Sequence, residues 1–333
     1  MKLAFSLFHP VQPIPAKYQS NFRHLSQDMA WFGVLNGSAM AFIAIYATRL
    51  GASGEQIGLL NAVPAIVTLI FALPTGKWLE NKTLGKTVFW ASVVFRLFYL
   101  LLVPLPSLLM PNAQIWTIIF FTLLMSIPGT VLAVGFNALF ADAVPPDWRG
   151  YVAGVRNAVF SLTTIAASII CGQILYRMPF PHGYQVVFGI GFLGAAMSSY
   201  HLFFVKQFPD GTIPPRIGKS LGNLTSPGVI RTSPDSMRPG VGLRFLTRAK
   251  NMQILRFDII RGPFGRIVGV LFLFHLAQYL AIPIFPLYMV NALHYQDSTI
   301  SLGSAIFYVT VFMGSVWLPQ LTTQFGFKRI TAM

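Results

Sequence analysis

Residues 141–160 read ADAVPPDWRGYVAGVRNAVF, and this stretch decides how the chain is organised. It holds four charged residues, Asp142, Asp147, Arg149 and Arg156, in a chain of which only 10% is charged. Two adjacent prolines end a helix, and the basic side chains that follow suit the level of lipid headgroups. The stretch therefore predicts a short polar turn between two apolar helices.

The chain around this turn is too apolar for a soluble protein. Of its 333 residues, 54% are hydrophobic, and the mean hydropathy is +0.63. So few polar residues cannot cover the surface of a soluble domain of this length. A helix of about 20 apolar residues crosses the hydrocarbon core of a bilayer. Eight segments meet that length: 29–50, 57–76, 87–105, 115–139, 151–176, 185–205, 267–290 and 303–320.

Basic residues are concentrated at one face of the predicted membrane domain. If the N-terminus is cytoplasmic, ten Lys and Arg residues outside the long central loop flank the cytoplasmic side, and two flank the other side. This distribution predicts a multi-pass protein of the plasma or inner membrane with a cytoplasmic N-terminus. It also accounts for most of the net charge of +15, so nucleic acid is not an expected partner.

The segment between the sixth and seventh spans differs from the rest in composition. It is rich in Pro, Gly and Ser and ends in the basic, partly apolar stretch RFLTRAKNMQILRFDIIRG at 244–262. This pattern predicts a cytoplasmic linker followed by a helix that lies on anionic lipid.

A weak internal repeat relates the two sides of this segment. Three pairs recur at offsets of 242, 243 and 241 residues: Tyr46 with Tyr288, Ile57 with Ile300, and Gly85 with Gly326. The same offset places the partner of Gln207, at the end of span 6, near position 449, about 116 residues beyond Met333. The repeat therefore predicts four further spans that this sequence lacks.

Two short connections carry patterns beyond their charge. Their distinctive residues are Gly76, Glu80, Gly85 and Lys86 between spans 2 and 3, and Asp142, Arg149 and Gly150 between spans 4 and 5. An acid at the C-terminal end of span 4 opposes the helix dipole, so Asp142 is expected to pair with Arg149 or Lys86. Such a pair either anchors the topology or belongs to an inner gate that breaks and re-forms. Gly150 and Gly154 are spaced for close helix approach.

These connections, the six spans before a long basic loop, and the repeat together resemble the major facilitator superfamily across essentially the whole chain. Members of that family have twelve helices in two halves of six. The resemblance implies an all-α integral membrane bundle with a complete six-helix N-terminal half and the first two helices of the C-terminal half. It also implies that the sequence is truncated after the eighth helix.

The domains implied by the resemblance follow the same division. They are a cytoplasmic lead-in at 1–25, the N-terminal six-helix bundle at 26–207, the basic cytoplasmic loop at 208–262 and a partial C-terminal bundle at 263–333. Span 5 has small residues at the positions of the family's antiporter signature, without its proline and most of its glycines. These small residues predict close packing and do not indicate antiport.

Polar residues within the spans are the candidates for a substrate cavity, because each is costly in hydrocarbon unless it is paired or faces water. They are Asn36 in span 1, Arg96 in span 3, and His275, Gln278 and Tyr279 on one face of span 7. By resemblance, spans 1 and 7 line the central cavity. The alternative is an interhelical hydrogen bond or, for Arg96, an ion pair inside the first half. No Asp or Glu is predicted at mid-membrane, so His275 is the candidate for a coupled proton.

The function predicted by resemblance is secondary active or facilitative transport of a small solute by alternating access. Two alternatives remain open: a non-functional or partial fragment of such a transporter, and a membrane-embedded enzyme. The enzyme would need clustered carboxylates, His or Cys, whereas the nine acids are scattered singly. No catalytic residue, metal site or cofactor is expected. The expected partners are the lipid bilayer, a small solute and a coupled proton. The oligomeric state and the solute are not specified.

Overall fold

The computed structural model of the protein describes residues 15–145, 148–208 and 263–332. The start of the predicted lead-in and nearly all of the predicted central loop, including the stretch at 244–262, lie outside the described residues.

Within these ranges, eight helices are long and apolar enough to cross a membrane, as the sequence predicts. Their bounds are α1 Ala16–Arg49, α2 Gly54–Leu79, α3 Leu84–Leu102, α4 Pro111–Ala143, α5 Arg149–Arg177, α6 His182–Phe203, α7 Gly265–Ala292 and α8 Asp297–Ala332. Helix α1 begins well before the predicted span at 29–50, so part of the predicted lead-in at 1–25 is helical.

Local sequence signals explain where several helices begin and end. Ser53 and Gln56 form a reciprocal capping box at the start of α2, with bonds of 3.3 and 2.9 Å. Pro111 occupies the first turn of α4, where a missing amide hydrogen costs nothing. At the other end of α4, Arg149 donates to the carbonyls of Ala141 and Val144 at 2.7 and 3.2 Å. The turn at 141–160 therefore caps α4 with the first residue of α5.

Prolines and π-helical segments interrupt the regular α-helical pattern, including a π segment at Tyr288–Ala292 in α7. Prolines lie inside α2 and α4, which is common in membrane helices because neighbouring groups satisfy the freed carbonyls. Helix α1 contains a π-helical segment, Asn36–Met40, between two α-helical parts. Such π segments occur frequently at functional sites.

Helix α1 packs closely against both α5 and α6. A Cβ atom added to Gly37 would lie 3.0 Å from Cβ of Ala167 and 3.0 Å from the backbone nitrogen of Ser168 on α5. One added to Gly194 on α6 would lie 2.9 Å from the carbonyl oxygen of Trp31. No larger residue fits these contacts without moving a backbone. The predicted close packing of the small residues of span 5 is thereby confirmed.

The other helices of the first six, and α8, pack on one another as well. Helix α4 packs on α2 and α3, α3 packs on α6, and α8 runs along α5. Large apolar side chains cover the outside, among them Leu69, which is 79% exposed. An apolar exterior of this extent requires hydrocarbon as its solvent.

Candidate functional site

A buried ion cluster joins three helices of the first six. The carboxylate of Asp28 on α1 lies 3.7 Å from Nη2 of Arg96 on α3 and 3.8 Å from Nη2 of Arg156 on α5. We call these three residues the bundle cluster. Ser198 on α6 donates a hydrogen bond to Asp28, and Arg96 donates to Ser199 at 2.7 Å. The cluster thus connects α1, α3, α5 and α6.

Aromatic rings cover the side of the bundle cluster that the serines leave open. The guanidinium of Arg156 lies 4.4 Å from the ring centre of Phe136 and 5.2 Å from that of Phe140, both on α4. Cations are attracted to the faces of such rings. The side chains of Asp28, Arg96 and Arg156 are only 6%, 5% and 12% exposed. The arrangement is typical of a fixed structural centre rather than a binding surface.

The bundle cluster corrects two expectations from the sequence. Arg156 was counted among the cytoplasmic basic residues, but it lies inside the bundle, so the charge count is nine against two. Asp28 precedes the predicted span 1, yet it is buried within α1, so an acid does lie among the spanning helices. A buried arginine needs an anion. Arg96 in the middle of span 3 was therefore the signal that could have pointed to Asp28.

The predicted cavity residue Asn36 contacts α8. Its side-chain amide donates to the hydroxyl of Tyr308 at 2.7 Å, from the first turn of the π segment. Aromatic rings flank this bond, because Phe160 on α5 contacts Tyr308 at 5.8 Å and Phe32 at 5.7 Å between ring centres. Sequence reasoning missed Tyr308, which lies in span 8 without a charge to mark it.

The candidates on α7 occupy an exposed face. The ring of His275 stacks on that of Tyr279 at 5.9 Å, and its Nδ1 lies 2.7 Å from the carbonyl oxygen of Leu271. These contacts of His275 stay within α7. The side chain of Gln278 lies outside the described part of the molecule. The structure therefore gives Asn36 a partner on α8 and does not show it in contact with His275.

A second ion cluster bridges α1, α6 and α8 at the far end of the bundle from Arg149. Arg49, the last residue of α1, contacts Asp297, the first residue of α8, at 2.7 Å and donates to the carbonyl of Tyr295 at 2.8 Å. Tyr184 on α6 donates to the other carboxylate oxygen of Asp297 at 2.7 Å. We call Arg49, Asp297 and Tyr184 the bridging cluster.

The bridging cluster borders an open cavity of about 670 Å³. Residues from both sides of the predicted central loop line it, including Thr48 and Tyr176 from the first six helices and Asn291 and Gln296 from the last two. The side chain of Arg49 is 27% exposed there. Solvent therefore reaches Arg49, whereas Asp297 and Tyr184 behind it are buried.

The two patterned connections lie at the Arg149 end of the bundle. Helix α2 ends at Leu79 with Glu80 as its cap, and Gly85 and Lys86 fall in the first turn of α3. A Cβ atom added to Gly150 would meet no heavy atom within 4 Å among the described residues. Close helix approach, expected at Gly150, is thus not the reason for that glycine.

Among the residues that the structure describes, no group of three or more His, Cys, Asp or Glu side chains is placed to hold a metal ion. The polar sites are instead ion pairs and single hydrogen bonds between helices. Such an arrangement can hold helices together, release them, and present one or two polar groups to a solute.

The comparisons with known proteins agree with this architecture. The family model described as Major Facilitator Superfamily matches residues 29–333, which include all or most of each of the eight helices. Neither the curated proteins nor the solved structures yielded a match to the chain. On the family match, the chain belongs to the Major Facilitator Superfamily, whose members are multi-pass membrane transporters.

Proposed function

We propose that the protein carries a small solute across the membrane by alternating access between two units, residues 26–207 and 263–333. One observation carries the proposal. The two units meet through the bridging cluster beside the open cavity, through two side-chain hydrogen bonds further in, Asn36 to Tyr308 and Ser168 to the carbonyl of Ser301, and through the packing of α8 on α5. The polar contacts can break and re-form as one unit rocks against the other along the packed surface of α5 and α8.

The solute path in this proposal runs past Asn36. Asn36 is half-buried at the start of the π segment in the middle of α1, and its amide is freed when Tyr308 moves away. His275, Gln278 and Tyr279 line the path from α7 once the second unit closes on it. Arg96 acts indirectly, because it holds α1 and α3 in place through Asp28 and Ser199.

The connections at the Arg149 end form the opposite gate in this proposal. Gly76, Glu80, Gly85 and Lys86 shape the turn between α2 and α3, and Asp142, Arg149 and Gly150 shape the turn after α4. Arg149 holds α5 to the carbonyl end of α4, so both helices move together. We place this end and the N-terminus in the cytoplasm and the protein in the plasma or inner membrane.

In this proposal the protein is a transporter rather than an enzyme, and the proton is the ion considered for coupling. A membrane-embedded enzyme is not favoured, since no three His, Cys, Asp or Glu side chains of the described residues are grouped as a metal site would need, and the acids are scattered singly along the sequence. Asp28 is held between two arginines in the bundle cluster. If transport is coupled to protons, His275 on its exposed face is the group that carries them.

Cysteine accessibility tests alternating access without knowledge of the solute. The natural cysteine, Cys171, is buried, and Cys171→Ser provides a background for a single cysteine at Asn36→Cys. A membrane-impermeant maleimide is applied to sealed vesicles of either orientation. We expect labelling from both sides, at rates that change in opposite directions when one gate is weakened. Labelling that is confined to one side in every variant contradicts the proposal.

Uptake tests the solute site. Purified protein is screened by thermal shift against sugars, amino acids, drugs and siderophores, and compounds that stabilise it are tested for uptake into liposomes. We expect saturable uptake that Asn36→Leu reduces at least about tenfold, as a lost hydrogen bond to a buried polar solute would. Asn61→Leu is the matched control, because Asn61 on α2 bonds only its own helix, at 2.9 Å to Ile57. Equal loss in both variants contradicts a site at Asn36.

A further inference from the structure

A groove on the outer surface of the bundle is separate from the helices that meet between the two units. It encloses about 460 Å³ among α2, α3 and α4 at the end that carries Lys82 and Lys86. Trp78 and Trp90 form its walls and are 49% and 63% exposed. Because this surface faces the bilayer, its natural occupant is a lipid.

The groove is charged at one end and apolar along its length. On α3, Lys86, Trp90 and Val94 follow one another at intervals of four residues, so they share one face of the helix. At the helical rise, they reach about 12 Å from the charged end into the hydrocarbon. Ile127 and Val131 of α4 form the opposite apolar wall. A ligand that fits has an anionic head and a hydrocarbon chain.

The charged end is preorganised for an anion. The ammonium of Lys82 lies 5.5 Å from the ring centre of Trp78, which limits its positions. Lys86 stands at the start of α3 on the same side of the groove, and the lining of the groove contains neither Asp nor Glu. Two cations without an acid favour a headgroup with net negative charge over a zwitterionic one.

We propose that this groove binds a phospholipid with an anionic headgroup. Its phosphate lies between Lys82 and Lys86, its glycerol region lies beside the two tryptophans, and one acyl chain follows Val94, Ile127 and Val131. Tryptophan is enriched at this level of the bilayer because its ring is apolar and its N–H is polar. The site concerns lipid binding alone and stands independently of the proposed transport.

Quenching of tryptophan by brominated lipid tests the site on the full chain. The protein is reconstituted in phosphatidylcholine vesicles with a small fraction of dibrominated phosphatidylglycerol or dibrominated phosphatidylcholine. The signal of Trp78 and Trp90 is the difference between the parent protein and Trp78→Phe/Trp90→Phe. We expect phosphatidylglycerol to be preferred by about tenfold, since each lysine contributes a several-fold preference near an anionic lipid.

Two double variants separate a site from general surface charge. Lys82→Gln/Lys86→Gln is expected to remove the preference, whereas Lys77→Gln/Lys206→Gln, which removes the same charge from the same end, is expected to keep it. Val94→Phe fills part of the groove without changing charge or adding a tryptophan and is expected to reduce quenching by both lipids. Because several variants are compared, the test still gives a result if one variant fails to fold.

Three results would overturn the proposal. Equal quenching by the two lipids in the parent protein means an ordinary lipid boundary. Equal loss in the two double variants means bulk charge. Displacement of the brominated lipid by soluble glycerol phosphate means that the lysines bind a free phosphate and that the apolar groove contributes nothing.

Discussion

Both ion clusters pair a carboxylate with arginine, and they differ in the number of arginines and in what surrounds them. The bundle cluster places one carboxylate between two arginines, with every side chain nearly inaccessible to solvent. The bridging cluster pairs one carboxylate with one arginine and a tyrosine at the edge of an open cavity. Burial makes the first costly to break, and the partial exposure of Arg49 makes the second less costly to break. The first is suited to hold helices together permanently and the second to join and release them.

Neutralising Asp28 is expected to have the largest effect on stability of the substitutions that the comparison suggests. Asp28→Asn leaves Arg96 and Arg156 buried without their anion, which costs about 3–5 kcal/mol. We expect a large fall in melting temperature and in the yield of monodisperse protein, measured by fluorescence-detected size exclusion after heating. Glu55→Gln, an exposed acid in the first turn of α2, is the control and is expected to melt like the parent. A parent-like melting temperature for Asp28→Asn would mean that the bundle cluster is not structural.

Neutralising Asp297 has a smaller and different effect. Arg49 is 27% exposed, so its ion pair contributes less than a fully buried one, and Asp297→Asn is expected to lower the melting temperature less than Asp28→Asn does. Its effect appears in the equilibrium between conformations, because each 1.4 kcal/mol shifts a population tenfold. We expect Asn36→Cys to be labelled about fivefold faster from the Arg49 side, with Gln296→Ala as the control.

An exchange of charges sharpens this prediction. Arg49→Asp combined with Asp297→Arg restores an ion pair of opposite orientation and is expected to slow the labelling again. If either single variant instead lowers the melting temperature as Asp28→Asn does, the two clusters do not differ in kind.

Removing the hydroxyl of Tyr184 tests how much the bridging cluster depends on its hydrogen bond to Asp297. Tyr184→Phe deletes one donor to Asp297 and leaves Arg49 in place. The loss is about 1 kcal/mol, near the net value of one hydrogen bond. We expect labelling of Asn36→Cys from the Arg49 side to rise two- to fivefold, less than for Asp297→Asn. A rise that exceeds the effect of Asp297→Asn would assign the closure to Tyr184 rather than to the ion pair.

Tyr308→Phe is expected to have the smallest effect on stability. Side-chain hydrogen bonds between membrane helices contribute about 0.6 kcal/mol on average. The melting temperature should hardly change, whereas uptake of an identified solute should respond because Asn36 loses its partner. Tyr200→Phe, at an exposed position of α6, serves as the control for the loss of a hydroxyl. A large fall in melting temperature would mean that the contact of α1 with α8 is structural.

The sequence was sufficient for the eight helices and the family because apolar length and charge distribution do not depend on tertiary contacts. The ends were less predictable: α1 starts at Ala16 because its first turns pack inside the bundle, although they are polar. Which polar residues meet depends on helix rotation. Asn36 and Arg96 were visible as costly residues, but their partners Tyr308 and Asp28 are separated from them by 272 and 68 positions. No local pattern connects such distant pairs.

The π segment in α1 has a consequence for insertions and deletions. A π-helical turn holds one more residue than an α-helical turn. The α-helical parts before and after it therefore keep the relative orientation that they would have in a regular helix without that residue. Asp28 can thus face α3 while Arg49 faces α8, although Asn36–Met40 lies between them. Deleting one residue inside this turn converts it to a regular helix and preserves both orientations. Deleting one residue elsewhere in α1 rotates one end by about 100° and separates a cluster from its partners. Changes in the length of α1 are thus tolerated only where the solute path is proposed to pass.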